Sequence, residues 1–349
     1  MTRNLANCQR LCLLLTLCVL VLPALHAASI DKITVFAKGS DISATGPDSL
    51  TFVGNDLWVA YTNGADSAGA SGSSLVVHYD PTGAVVRMFA IAGNVDGLRY
   101  DAERNIIWAM QNNDGNSVLT FIDPVQGITS TSPYSYAVPN SGRGYDDVAF
   151  LNGQIFMSYT NPAGGADPTI QMITAPQPSQ ILNSSAPISF STILTMGATG
   201  TNLATGQTGQ ATSDTDPDSL IVTPLGTLML TAEADGQLIF VENPGKPNQA
   251  VSFLQLIDPN AGANASSLDD AVFVTAPAGS FYVADTGNNR VLKVDVSDLD
   301  LMSLYCSVDS MSVVGNVDLK TGVVTPFLTN VKAPHGLLFV PRFTSLFGH

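Results

Sequence analysis

The feature that most constrains the fold is a short pattern that returns along the whole chain. In five copies an acidic residue precedes an apolar run of four to seven residues, then a turn and a second apolar run. Runs of this length, bounded by Gly, Pro, Asn and Asp, are typical of β-strands joined by tight turns. The copies begin at Asp48, Asp96, Asp146, Asp218 and Asp269, and a sixth first run begins at His335.

The spacing of the copies predicts the architecture. Successive copies begin 48, 50, 72, 51 and 66 residues apart, and two further strand-like runs follow most of them. A unit of about 50 residues with four antiparallel strands is typical of a β-propeller blade. Because one four-stranded sheet cannot bury both of its faces, such units stack around a central axis. We therefore predict an all-β chain that folds as a β-propeller of four-stranded antiparallel blades.

The number of blades follows from the two ends of the repeat region. The sixth copy has an inner strand but few residues after it, and segment 33–37 can supply an outer strand that closes the ring. We predict six blades with a thin last one, and five blades with extra strands is the alternative. The runs 281–284 and 291–294 are assigned to the fifth blade. The long spacings contain stretches 196–217 and 297–318, which we interpret as inserted loops.

Residues 1–28 have the three parts of a secretory signal peptide. Arg3 and Arg10 form a basic region, residues 11–22 are largely apolar, and small residues follow. Twelve residues are too few to span a bilayer. We predict that this segment is removed, that the protein is secreted or periplasmic, and that residues 29–349 form a single propeller domain without a membrane span.

The composition excludes several classes of function. The chain has 29 Asp+Glu against 14 Lys+Arg, a net charge of −15, so it would repel the phosphates of a nucleic acid. Of the acidic residues, 26 are Asp, which favours turns over helix interiors. We find no phosphate-binding loop, nucleotide fingerprint or serine-hydrolase elbow, so the sequence indicates no nucleotide or organic cofactor.

The repeat predicts that oxygen-bearing side chains converge at one mouth of the central channel. The first strands of all blades begin at this face, and the second strands end there. Carboxylate and amide oxygens suit a hard cation such as Ca²⁺ or Mg²⁺, or a polyol. The predicted metal ligands are Asp146, Asp218 and Asp269, and the predicted ligand-binding residues are Asp48, Asp96, Asn112, Asn161, Glu233 and Asp285. The alternative for each Asp is that it braces its own turn.

A second acidic pattern lies just before the fourth copy. Asp214, Asp216 and Asp218 are spaced as the first three ligands of a calcium loop. Ser219 stands where that loop needs Gly, and Leu225 where it needs the bidentate Glu, so the segment is not an EF-hand. Asp214 and Asp216 are predicted as further metal ligands, with a solvated loop as the alternative.

His335 occupies the position that an acidic residue holds in the other copies. At the predicted mouth the surrounding carboxylates would raise its pKa. We predict His335 and Asp146 as candidate catalytic residues, acting in general acid–base chemistry. The alternative is that His335 only fills the Asp position of a diverged repeat.

Residues 281–294, Phe-Tyr-Val-Ala-Asp-Thr-Gly-Asn-Asn-Arg-Val-Leu-Lys-Val, closely resemble the NHL-repeat signature. The chain is also similar to the six-bladed superfamily of gluconolactonase-like lactonases. That resemblance implies a metal-dependent site, but the lactonase pattern has an early Glu ligand where this chain has Asp48. The motif Pro334-His335-Gly336-Leu337 resembles the His-Gly motif of other propeller lyases and esterases.

These observations support two functions. The first is a ligand- or protein-binding module with an acidic central mouth, because no complete catalytic motif is present. The alternative is a divalent-metal-dependent lactonase-type hydrolase or lyase acting at that mouth. The expected partner is a small molecule, a polysaccharide or a protein, and the expected oligomeric state is a monomer.

Overall fold

The computed structural model describes residues 28–115, 117–128, 134–135 and 142–342. The predicted signal peptide lies outside the described residues, apart from its last position. No helix within the described ranges is long and apolar enough to cross a membrane.

The described strands form six sheets arranged as blades, numbered here by the order of their inner strands. Strand β1 (Ser29–Lys38) comes first in the chain and belongs to blade six. Blade one has β2 (Pro47–Val53), β3 (Asp56–Tyr61), β4 (Ser73–Tyr79) and β5 (Val85–Ala92). Blade two has β6 (Val95–Asp101), β7 (Ile106–Gln111), β8 (Val118–Asp123), β9 (Gly127–Ile128) and β10 (Tyr134–Ser135). Blade three has β11 (Tyr145–Leu151), β12 (Gln154–Tyr159), β13 (Pro168–Ala175) and β14 (Ser189–Thr195).

The second half of the chain supplies the other three blades. Blade four has β15 (Thr199–Asn202), β16 (Gln210–Ala211), β17 (Pro217–Val222), β18 (Leu228–Ala232), β19 (Gln237–Glu242) and β20 (Ala250–Gln255). A separate hairpin has β21 (Ile257–Asp258) and β22 (Ala263–Asn264). Blade five has β23 (Leu268–Phe273), β26 (Leu304–Val308), β27 (Val313–Val317) and β28 (Val324–Leu328). Blade six has β24 (Gly279–Asp285), β25 (Arg290–Ser297), β29 (Pro334–Pro341) and β1. Short 3-10 helices span Gly39–Ile42, Pro178–Asn183, Thr286–Asn288 and Asp309–Met311.

The architecture confirms the predicted six-bladed all-β propeller and excludes the five-bladed alternative. The ring closes as expected, because β1 runs antiparallel to β25 at the outer edge of blade six. The inner strands β29 and β2 then lie side by side, and the Thr286 hydroxyl donates to the Pro47 carbonyl at 2.5 Å. The N-terminal strand therefore joins the end of the chain to its beginning.

The assignment of strands to blades five and six that the sequence predicts is wrong. Inner strand β23 pairs with β26, not with β24, and β24 pairs instead with β29 of blade six. The chain thus leaves blade five after one strand, builds the middle of blade six, and returns to complete blade five. Runs 281–284 and 291–294, and with them the NHL-like stretch, belong to blade six.

Two further expectations are corrected by this pairing. Stretch 297–318 is not an inserted loop, because it contains β26 and β27, whose side chains are mostly buried. Blade six is not thin, since it has four full strands. Stretch 196–217 is an insertion only in part, because β15 within it pairs in parallel with β20 and extends blade four.

The core lies between blades rather than inside one layer. The buried apolar residues form six clusters, and each cluster combines side chains from two neighbouring blades. Trp58 packs between blades one and two and Trp108 between blades two and three, both fully buried. Because both faces of each blade are covered in this way, the apolar runs of the repeat become the contacts that hold the ring together.

Candidate functional site

Each inner strand is irregular at the position of its acidic residue. The register shifts between residues 47 and 50, and the same shift recurs in all five other inner strands, including residues 334–337 of β29. A bulge leaves two residues opposite one and turns a side chain away from the regular pleat. The repeated bulge explains how every blade can direct its acidic residue, or His335, to the channel.

The six residues that begin the copies of the repeat line one small cavity, of about 140 Å³, at the mouth of the central channel. Glu233 from the end of β18 and Asp216 from the loop before β17 also line it. The side chains that carry charge in this lining are Asp48, Asp96, Arg99, Asp146, Asp147, Asp216, Asp218, Glu233, Asp269, Asp270 and His335. The described lining therefore contains nine carboxyl groups and two basic groups.

His335 is held between two of these carboxylates. Its Nδ1 atom lies 2.8 Å from Asp48 Oδ1 and 3.1 Å from Asp269 Oδ2. Burial lowers the pKa of His335, but the charges of Asp269 and Asp48 outweigh that effect and raise the pKa to about 11. At neutral pH His335 is therefore an imidazolium that neutralises part of the acidic ring.

Arg99 pairs with two other carboxylates of the lining. Its Nε and Nη2 atoms donate to both oxygens of Asp147 at 2.6 to 3.0 Å, and Nη2 lies 3.5 Å from Asp270 Oδ1. Burial lowers the pKa of Arg99, but the charges of Asp147 and then Asp270 outweigh it and raise the pKa above its usual value. Asp147 also accepts the Leu220 N–H, and Asp270 accepts the Leu337 N–H.

Arg99 and His335 together pair with four of the nine carboxyl groups. The other five have no ion pair among the described residues. These are Asp96, Asp146, Asp216, Asp218 and Glu233. Burial, and next the charge of a neighbouring carboxylate, raises the pKa of each of them, to about 7 for Asp96 and well above the usual range for Asp146 and Asp218. The site therefore resists holding all of its charge unless a cation or protons balance it.

Asp96 and Asp146 influence each other directly. After burial and the charge of a neighbouring carboxylate, a hydrogen bond between the two carboxyl groups lowers the pKa of Asp96 and raises that of Asp146. Asp146 is only 4% exposed, and its Oδ1 atom has no hydrogen-bond partner among the described residues. A buried oxygen without a partner is costly, and a bound cation would supply one.

Four predicted site residues do not line the cavity. Asn112 accepts the Asn94 N–H at 3.0 Å, and Asn161 donates to Asp114 at 2.6 Å. Asp285 is buried, pairs with Arg290 at 2.6 Å and accepts the Lys332 N–H. Asp214 accepts the Gly197 N–H and anchors the insertion before blade four. These contacts brace turns, and a ligand role for the four residues stays a prediction.

We compared the chain with known proteins. No protein-family model matches the sequence, and no curated protein sequence matches it. Among solved structures, the periplasmic gluconolactonase of Pseudomonas aeruginosa is similar, with 14% identity, a TM-score of 0.48, and coverage of 84% of this chain and 88% of that one. Virginiamycin B lyase from Staphylococcus aureus is also similar, with 13% identity, a TM-score of 0.49, and coverage of 87% and 92%. At this identity the likeness concerns the fold alone. The six-bladed fold itself is established by the strand pairing of this chain.

Sequence reasoning missed the cluster of Arg99, Asp147 and Asp270. Two copies of the repeat begin with a doubled acid, Asp146-Asp147 and Asp269-Asp270, and only the first acid of each pair was assigned to the mouth. The doubled acid could have indicated this cluster, because the second acidic side chain at a bulge also points toward the channel. Arg99 is three positions after Asp96 and could have been recognised as the basic residue nearest to a copy start.

Removal of the Arg99 guanidinium should destabilise the whole ring. In Arg99→Ala, Asp147 and Asp270 lose the cation they share, and breaking a buried ion pair in this way costs about 3 to 5 kcal/mol. Denaturant unfolding measures the change. Arg342→Ala is the control, since it breaks the exposed contact with Asp31 and should cost at most about 1 kcal/mol. Equal effects of the two substitutions would contradict this account.

The stability of the metal-free protein should fall as the pH rises from 5.5 to 8.5. The folded pKa of Asp96 is about 7, above its unfolded value, so its stabilising contribution is complete at low pH and is lost as pH rises through about 7. The pKa of His335 is also raised, to about 11, so its stabilising contribution is likewise lost as the pH rises above about 6.5.

Unfolding by denaturant in chelator at three pH values tests this expectation. Asp96→Asn should flatten the dependence between pH 5.5 and 7. Asp318→Asn is a matched control, because Asp318 is an exposed carboxylate whose pKa is lowered by the Lys320 N–H. A stability that rises steadily from pH 5.5 to 8.5 would refute the assignment.

Proposed function

We propose that the central cavity binds one divalent cation, Ca²⁺ or Mg²⁺, and that the protein is a binding module that holds a small oxygen-rich molecule through this cation. The observation that carries the proposal is the set of five carboxyl groups that have no ion pair although they line a single small cavity. The charge of such a set is balanced either by protons or by a metal ion.

The donor chemistry fits a hard cation. Ca²⁺ takes six to eight oxygen ligands from carboxylates, carbonyls and water, and Mg²⁺ prefers one or two carboxylates with several waters. The best-placed ligands are Asp146 and Asp218, since each has one buried oxygen without a hydrogen-bond partner among the described residues. A cavity of about 140 Å³ accommodates an ion with several waters, since each water occupies about 30 Å³.

A second position for a cation involves Asp48, Asp269 and His335, whose ligand atoms lie within 4.8 Å of one another. His335 ligates a metal only as a neutral imidazole, whereas its Nδ1 proton is shared with both carboxylates. A metal at this position would therefore have to displace that proton. This competition favours ligands that do not contact His335, such as Asp146 and Asp218, for the ion.

The cavity is also open to solvent. An oxygen-rich molecule could approach from the mouth, where its oxygen atoms could complete the coordination of the cation. If the predicted export signal operates, the compartment outside the cytoplasm would supply Ca²⁺ to a site of modest affinity, typically about 10⁻⁴ to 10⁻³ M in extracellular modules.

Titration with CaCl₂ and with MgCl₂ tests the cation site directly. We expect saturable binding of one ion by calorimetry and a rise in the melting temperature, because an ion that binds only the folded state stabilises it. Asp146→Asn and Asp218→Asn should each lower the affinity at least about tenfold, while Asp318→Asn should not change it. No binding and no thermal shift at 10 mM of either ion would reject the proposal.

The coupled pair Asp96 and Asp146 supports a second candidate, a metal-dependent lactonase-type hydrolase or lyase. A carboxyl group with a pKa of about 7 is well matched to general acid–base catalysis at neutral pH. A bound divalent cation would polarise a carbonyl and lower the pKa of a water. The pair would hold or accept the proton at that place, and His335 would stabilise negative charge.

Turnover of simple lactones and aryl esters, with and without EDTA, separates the two candidates. The hydrolase candidate predicts activity that EDTA abolishes, that follows an ionisation near pH 7, and that Asp96→Asn reduces at least about a hundredfold. Asp318→Asn should keep full activity. Cation binding without any turnover would support the binding module and reject the hydrolase. Activity that neither EDTA nor Asp96→Asn reduces would exclude this cavity as the site of the reaction.

A further inference from the structure

A second cavity lies at the far end of the inner strands from the acidic cavity. Strand β29 begins with His335 at the acidic cavity and ends with Val340 and Pro341 at this second one. The five residues of strand from His335 to Val340 span about 16 Å, so the two cavities are separate. The volume of the second cavity is about 520 Å³, and small-molecule sites usually have about 300 to 1,000 Å³.

Aromatic and aliphatic side chains of blades six and one form the walls of this cavity. Tyr282 on β24 lies in register with Leu338 on β29 and with Lys293 on β25, so the three side chains form one row across blade six. Phe52 of blade one packs against Tyr282, with ring centroids 5.0 Å apart and an angle of 77° between the ring planes. Such an aromatic wall suits the packing of a further flat ring.

Lys293 supplies the charge of this lining. Its Nζ atom lies 5.9 Å from the centroid of the Tyr282 ring, within the range of a cation–π contact. Its ion pair with Asp295 Oδ1 measures 3.9 Å, which is too long for a hydrogen bond, and that oxygen already accepts the Ser280 hydroxyl at 2.6 Å. The ammonium group therefore has no hydrogen-bond partner among the described residues, and 34% of the side chain is exposed.

The two cavities differ in the sign of their charge. The described lining of the acidic cavity has nine carboxyl groups, whereas the described lining of the second cavity has one ammonium group and no carboxyl group. The chain has a net charge of −15, so most of its surface repels an anion. The second cavity offers an anion both a cation and apolar walls.

We propose that the second cavity binds a small aromatic molecule that carries one carboxylate. The aromatic ring packs against Phe52 and Tyr282, and the carboxylate pairs with Lys293 Nζ. A single ammonium balances one negative charge, and the apolar walls offer no partner for the second charge of a phosphate. The amide of Asn55, at the rim, can donate to the remaining carboxylate oxygen. This inference is independent of the cation site.

Titration with 2-naphthoate tests the proposal, because this probe combines a flat aromatic ring system with one carboxylate. We expect saturable binding by calorimetry with a dissociation constant below about 1 mM. The neutral 2-naphthamide has nearly the same shape and should bind about fivefold more weakly. EDTA in every titration keeps metal ions out of the acidic cavity, so the result does not depend on the cation site.

Two substitutions change the charge of the lining and leave its apolar walls in place. Lys293→Gln removes the ammonium group, and Asn55→Asp adds a carboxylate at an exposed position. Each should weaken the binding of 2-naphthoate about fivefold and leave the binding of 2-naphthamide unchanged, which shows that the cavity is still folded. Lys320→Gln is the matched control, since Lys320 is exposed in the turn between β27 and β28 of blade five and should bind 2-naphthoate as the wild type does.

Methyl NMR locates the bound probe. The methyl signals of Leu338 and Val340, which line the cavity, should shift as 2-naphthoate is added. The signals of Leu225 should not shift, because this residue is 81% exposed in the β17–β18 turn of blade four. Binding that shifts neither Leu338 nor Val340 overturns the proposal, since the ligand then lies elsewhere.

Three other results also overturn the proposal. The first is the absence of binding at about 5 mM 2-naphthoate. The second is an affinity for 2-naphthoate that is no higher than that for 2-naphthamide, or that Lys293→Gln leaves unchanged, because the ammonium group then recognises no carboxylate. The third is binding that is seen only in a variant ending at Arg342, because residues 343–349 are then the occupant of the cavity.

Discussion

The rest of the structure depends on the ion cluster that Arg99 forms at the centre of the ring. Its guanidinium comes from blade two, Asp147 comes from blade three and Asp270 from blade five. The two carboxylates also accept backbone N–H groups of Leu220 in blade four and Leu337 in blade six. Five blades therefore meet at one buried cation. Because the cost of burying these charges is recovered only when all of the partners are in place, the cluster ties the blades to a single arrangement.

The same cluster determines the character of the mouth above it. Arg99 satisfies the inner carboxylates, and His335 satisfies Asp48 and Asp269, so no further positive charge of the described chain reaches Asp146 or Asp218. Burial, and next the charge of a neighbouring carboxylate, raises the pKa of both of these acids. The described lining of the cavity therefore has nine acidic groups and two basic ones.

Most of the architecture could be predicted, because the repeat of acid, strand and turn is visible in residues that are close together in the sequence. The starts of all six inner strands, the closing role of segment 33–37 and the shared mouth follow from that pattern. The pairing of β23 with β26 could not be predicted, because strands 279–285 and 304–308 have equally apolar sequences and only their packing against other blades selects between them. Asn112, Asn161 and Asp285 end their strands as expected, but whether an end points into the channel or into its own turn depends on loop conformations that the repeat does not encode.

The exchange of strands between blades five and six has a consequence for how the protein is made. In a simple propeller the strands of each blade are consecutive in the chain, whereas here β23 waits for its neighbour until β26 emerges, about thirty residues later. Blade six in turn needs both β29 and the first strand of the chain. Residues 268–341 must therefore fold as one unit. Neither of these two blades could be deleted, duplicated or transplanted alone, which sets them apart from the first four as units of evolutionary change.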